Sequence, residues 1–121
     1  MPISNPLPLR VFRGLSNRNA GGAQAITGVG FKPRAIIFTA MGVGGTHQIK
    51  SDGFTDGSNG YNDHLRGDSV DGDNSVDLMM IRKDATNHIA AALTSMDADG
   101  FTLAWSLTGT MTAYFGYLCL R

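Results

Sequence analysis

Residues 88–107 read HIAAALTSMDADGFTLAWSL, and the fold class turns on whether their first half is helix or strand. Ala90 to Leu93 has helix propensity. The second half points the other way. Phe101, Leu103 and Trp105 alternate with Thr102, Ala104 and Ser106, and the Asp99-Gly100 pair in front of them is a short-hairpin signal. The stretch is therefore read as a hairpin that turns Phe101, Leu103 and Trp105 to one side.

The rest of the chain favours the same choice. Its 121 residues include ten acidic residues, every one of them Asp, while only Lys32, Lys50 and Lys83 among the ten bases are Lys. Helices draw on Glu and Lys for their polar faces, so half of that vocabulary is missing. Sixteen glycines and the turn pairs Asp52-Gly53, Asp56-Gly57, Asn59-Gly60, Asp71-Gly72 and Asp99-Gly100 supply cheap positive φ instead. Length and a 42% apolar content suit one domain that folds without disulfides or metal. Cys119, the only cysteine, lies in the apolar run at residues 111–120 and is expected to be a buried core thiol.

Further strands are expected at residues 10–16, 23–27, 46–51, 76–82 and 111–120. Residues 34–41, RAIIFTAM, carry apolar side chains on both faces, as a strand between two packed layers does. Residues 52–75 hold much of the Gly, Asp and Asn and read as one long polar loop. The expectation is an all-β chain: a single jelly-roll-like β-sandwich of seven to eight strands over residues 10–121, preceded by an extended Pro-rich arm at residues 1–9. In that arm Pro2, Pro6 and Pro8 deny backbone donors while Ile3, Leu7 and Leu9 offer apolar contacts, and Arg10 and Phe12 extend the candidate assembly surface.

Formal net charge is zero, which argues against a general nucleic-acid or anionic-membrane partner. The zero conceals segregation. Six bases and no acid precede Asp52, whereas ten aspartates and four bases lie from Asp52 onward. Such a chain can attract a neighbouring copy of itself. No stretch has the length of a membrane span and no secretory leader is evident, so a soluble product of the cytoplasm is expected.

Searching for chemistry yields little. Asp71, Asp73 and Asp77, with Asp68 nearby, resemble a hard-oxygen calcium cluster, but no Glu exists to close an EF-hand loop, and a solvated acidic loop is the preferred reading. His47, His64 and His88 with one Cys match no zinc spacing. No G-x-S-x-G elbow, nucleotide fingerprint or P-loop is complete, so neither enzyme activity nor any cofactor is expected. Asn59, Tyr61, Asn62, Asp63 and His64 in the polar stretch are the candidate exposed contacts, because an aromatic plane beside amides and a carboxylate suits a sugar.

Two separated stretches, ITGVGFKPRAIIF at residues 26–38 and MDADGFTLAWSLTG at residues 96–109, resemble a family of small proteins of tailed bacteriophages and prophages. That resemblance implies a virion component, a capsid decoration or cement subunit or else a fibre head, and no catalytic motif comes with it. The expectation is a structural protein that binds the major capsid protein or other virion subunits through its arm and forms a homo-oligomer, a trimer being favoured. A receptor- or glycan-binding head is the alternative.

Overall fold

The computed structural model describes residues 10–43, 49–66, 69–73 and 77–121, with side chains for all of these except 64–66 and 69–73. The expected arm residues Pro2, Ile3, Pro6, Leu7, Pro8 and Leu9 lie outside the described residues, as do His47 and Asp68.

The described residues contain no helix and form ten strands, joined into two antiparallel sheets. In chain order they are β1 (Val11–Arg18), β2 (Gly22–Ile26), β3 (Ala35–Gly42), β4 (Ile49–Thr55), β5 (Gly60–Arg66), β6 (Ser69–Asp73), β7 (Asp77–Asp84), β8 (Asn87–Asp97), β9 (Gly100–Thr108) and β10 (Ala113–Leu120). One sheet has six strands in the order β1-β10-β3-β4-β5-β6, the other four in the order β2-β9-β8-β7. The hairpin of residues 88–107 is β8–β9, with Asp97 paired to Gly100 and His88 to Thr108. Phe101, Leu103 and Trp105 all point inward and are buried. Strand wins over the helix propensity of Ala90 to Leu93 because Ile89 and Ala91 pack into the apolar core, which a solitary helix in this chain could not supply.

The core lies between the two sheets. Phe38 from β3 meets Phe101 from β9 edge to face at 5.7 Å, and Tyr117 from β10 meets the same ring at 5.2 Å. Trp105 is tilted against Phe115 at 5.4 Å, while its indole N–H donates to Gln24 Oε1 at 2.9 Å, so this large ring is buried without an orphaned donor. Cys119 is fully buried, as expected, and burial pushes its thiol up to about 11.

Four expectations are corrected. Residues 52–75 are not one polar loop: β4 runs on to Thr55, and β5 and β6 pair in register after it. Asp52-Gly53 is not a turn either. It lies inside β4, where a Cβ on Gly53 would stand 1.7 Å from the Leu78 carbonyl oxygen, so the glycine is there to let the backbone of β7 approach. β3 is not buried on both faces: Ile36, Phe38 and Ala40 point inward, but Ile37 and Met41 are 44% and 54% exposed. Arg10 and Phe12, expected to extend the assembly surface of the arm, are tied into the folded body. Phe12 stacks on Tyr117 at 6.3 Å inside the sandwich-like body, and the Arg10 carbonyl accepts from the Arg121 N–H at 3.0 Å while its guanidinium lies 5.4 Å from the centre of the Phe31 ring.

The abundance of Asp without Glu now has a local cause. Asp56 Oδ1 accepts from the N–H groups of Ser58 and Asn59 at 2.9 and 2.7 Å, beside Gly57 at φ 94°, and forms the β4–β5 turn. Asp84 Oδ1 accepts from the Thr86 N–H at 2.9 Å in the β7–β8 turn. Both are side-chain bonds to the backbone two or three residues on, which the short Asp side chain reaches without spanning an extra methylene.

Candidate functional site

Asp99 joins the two motifs on which the phage resemblance rests. Its carboxylate accepts from the N–H groups of Gly28 and Gly30 at 3.0 and 2.7 Å, and its carbonyl accepts from the Val29 N–H at 3.1 Å. Gly28 and Gly30 have φ of 84° and 88°, which turn both N–H groups toward the same side. These bonds hold the Asp99 carboxyl below its ordinary 3.8, as the Ser58 and Asn59 bonds do for Asp56. The motif pair is therefore a structural clasp that ties the β2–β3 connection to the β8–β9 turn.

A pH dependence follows from the clasp. The folded carboxyl titrates below 3.8, the unfolded one at about that value, so the stabilisation is complete above it and fades as pH falls through the folded pKa. Asp99→Ala is expected to lower stability at neutral pH and to differ progressively less from the parent below about pH 4. Urea titrations from pH 7 down to pH 3 would show this, and a gap independent of pH would remove the carboxylate from the account.

Asp84 and Asp97 are likewise held low by bonds from Thr86 and from the Ser95 and Thr102 hydroxyls. Groups held in this way are fixed acceptors rather than proton donors near neutral pH. Among the described residues no set of three His, Cys, Asp or Glu is placed to hold a metal. Asp71 and Asp73 stand at alternate positions on β6, with side chains outside the described set, and Asp77 opens β7.

The candidate contact residues separate. Asn59 is in the β4–β5 turn, while Tyr61, Asn62, Asp63 and His64 lie on β5 instead of a loop. Tyr61 and Asp63 are exposed on the outer face, as expected for contacts. Asn62 is 6% exposed and donates from Nδ2 to the Asp77 carbonyl at 2.8 Å, so it fastens β7 to the six-stranded sheet from within. The His64 side chain is outside the described set.

What sequence reasoning missed is the outer face of the six-stranded sheet. Residues paired in a ladder share a face. The register aligns Arg13, Leu118, Ile37, Phe54 and Tyr61 in one row across β1, β10, β3, β4 and β5. A second row runs Leu15, Gly116, Thr39, Asp52 and Asp63, and beside it Tyr114 pairs with Met41 and Met41 with Lys50. Ile37, Met41, Phe54, Tyr61 and Tyr114 are between 38% and 54% exposed and Leu15 is 87% exposed. Gly116 leaves a hollow of about 770 Å³ between Leu15, Thr39, Met41 and Tyr114. The outer face of the other sheet differs: Ala23, Ala25, Ala104, Ser106 and Thr108 are its exposed side chains on β2 and β9, all of them short.

Charges on the apolar face sit at its two ends and in one pair at its middle. Arg13 marks the β1 side and Asp63 the β5 side, while in the middle Lys50 Nζ lies 3.5 Å from Asp52 and Thr39 donates to the same carboxylate at 2.9 Å. Elsewhere Arg10, Lys32, Arg34 and Arg121 surround a shallow hollow of about 480 Å³ floored by Phe31 and Pro33. The chain matches no family model, no curated protein and no solved structure.

Proposed function

We propose that this chain is a structural subunit of a tailed-phage virion, a capsid decoration or cement protein that binds the coat lattice and stabilises the particle. The observation that carries the reading is the outer face of the six-stranded sheet. Large apolar side chains aligned across five strands are costly to leave in water, and faces of this kind mark sites of protein association. The site chemistry supports the same reading, because the thiol is buried and the shifted carboxyls are committed to turns and clasps. In this proposal the two sheets form a jelly-roll-like sandwich that takes its place on the virion, residues 1–9 supply the clamp onto the major capsid protein or other virion subunits, and neither catalysis nor cofactor is involved.

The test is co-sedimentation with capsids that lack the protein. The full chain should sediment with them, and the chain without residues 2–9 should keep its β-sheet circular dichroism spectrum yet stay in the supernatant. Failure of the full chain to bind would contradict the reading, and retained binding by the shortened chain would contradict the clamp.

One observation favours the second reading, a receptor- or glycan-binding head. Phe54 and Tyr61 are cross-strand partners and both exposed, with Asp63 two residues from Tyr61 on the same face, an aromatic platform beside a carboxylate. That reading requires glycan binding by the chain that Tyr61→Ala abolishes, and a glycan array without hits would dispose of it.

A further inference from the structure

We propose that the outer face of the six-stranded sheet is closed by a second copy of this chain, related by a twofold axis that runs along the strands between β3 and β4. The inference deepens the reading of the chain as an assembly subunit, and rests on it, by naming the partner of this face.

An axis along the strands sends β3 over β4 of the second copy, β10 over β5 and β1 over β6. Position along the strands is kept, so each row meets itself reversed. Ile37 then faces Phe54 of the second copy, and Leu118 faces Tyr61 of the second copy, in four apolar contacts related pairwise by symmetry. A face whose row is apolar at both positions of each symmetric pair is self-complementary, which is what an isologous interface requires. Aligned sheets pack about 30° apart, so these contacts spread over neighbouring positions without leaving the row.

Charge selects this axis over the perpendicular one. With the axis along the strands, the β1 side that carries Arg13 lies over the β5–β6 side that carries Asp63. An axis across the strands would put Arg13 against the β1 side of the second copy, which carries Arg13 too. Asp52 approaches its counterpart near the axis, but each Asp52 keeps Lys50 and the Thr39 hydroxyl beside it. What the register places on this face is Arg13 on β1 and Asp63 on β5, toward opposite sides of one sheet. Size sets the strength: four strand spacings of about 4.8 Å by seven residues at about 3.3 Å give a footprint of roughly 450 Å² per copy. Two copies bury about 900 Å², the class of weak interfaces that exchange. A closed twofold pair replaces the trimer expected from the sequence, because a threefold ring needs two different patches.

Sedimentation equilibrium of the full chain tests the proposal, with circular dichroism to show that each variant is folded. Twice the 12.8 kDa chain mass is expected at micromolar concentration. Phe54→Asp should give a folded monomer. Arg13→Asp and Asp63→Arg should each weaken the pair by about tenfold, and the double reversal should restore it. Within one chain these residues are about 19 Å apart, well beyond the screening length at physiological salt, so restoration reports a contact between copies. A monomer at 100 µM or above would overturn the proposal, leaving the face to residues 1–9 or to another virion protein. A trimer, or a dimer unmoved by Phe54→Asp, would also overturn it. Capsid co-sedimentation is read separately: a monomer that binds capsids removes only the twofold pair, and a dimer that does not bind them removes only the decoration reading.

Discussion

Gly53→Ala is expected to destabilise the fold by at least about 3 kcal/mol, the upper range for overpacking, or to prevent folding. The added methyl has no rotamer in which to escape. It would stand 1.7 Å from the Leu78 carbonyl oxygen and 2.8 Å from the Leu78 carbonyl carbon, so either β4 or β7 must move as a whole. β7 cannot move freely, because two side chains of the opposite sheet hold it. Ser51 Oγ accepts from the Met80 N–H at 3.1 Å, and Asn62 donates to the Asp77 carbonyl at 2.8 Å. Separating the strands would strand these buried polar groups as well as open the core. Urea unfolding followed by circular dichroism measures the effect. A loss under about 1 kcal/mol would mean that β7 does not cross β4 at Gly53.

Phe101→Ala is expected to cost about 3–5 kcal/mol, as truncation of a buried aromatic does. Its ring is fully buried and is the meeting point of three elements, since Phe38 and Tyr117 both present it with edge-to-face contacts. Neither neighbour can fill the void without abandoning its own strand register. The contrast with the other face makes the measurement informative. Phe54 is on the outer face, so Phe54→Ala should change the stability of the isolated subunit by about 0.5 kcal/mol or less. Chemical denaturation of both variants at a concentration where the chain is monomeric gives the comparison. Equal losses would mean that inner and outer faces have been exchanged, a slip of one residue in register.

How far the sequence revealed this depends on whether local composition agreed with the final environment. The β8–β9 hairpin was legible because Phe101, Leu103 and Trp105 alternate with small or polar residues and an Asp-Gly pair marks the reversal. The turn itself is Ala98-Asp99, with Gly100 paired to Asp97. Cys119 was legible from the apolar run around it. β5 and β6 were not, since GYNDHLR and SVDGD contain the residues least favoured in strands. There the ladder is set by what the segments pair with, and nothing in the local sequence announces it. Asn62 misled for a related reason: a buried amide is identified by the carbonyl it reaches, fifteen positions away in the chain.

RAIIFTAM misled in the opposite sense. Ile37 and Met41 are as apolar as a strand between two layers demands, yet among the described residues their face is left open to solvent. On the proposal that a second copy closes this face, the apolar outer side of β3 is the trace of that burial in the sequence. The charge segregation was visible from the start, but which charges share the outer face required the register, which puts Arg13 on β1 and Asp63 on β5.

The central claim is that the chain is a structural subunit of a virion. Cryo-electron microscopy of purified particles from its proposed source, a tailed phage, measures this most directly. The account predicts two-sheet density of this chain in regular copies on the outer surface of the capsid, with the outer face of the six-stranded sheet covered. Particles without the chain, or density confined to fibre tips with that face open to solvent, would contradict it.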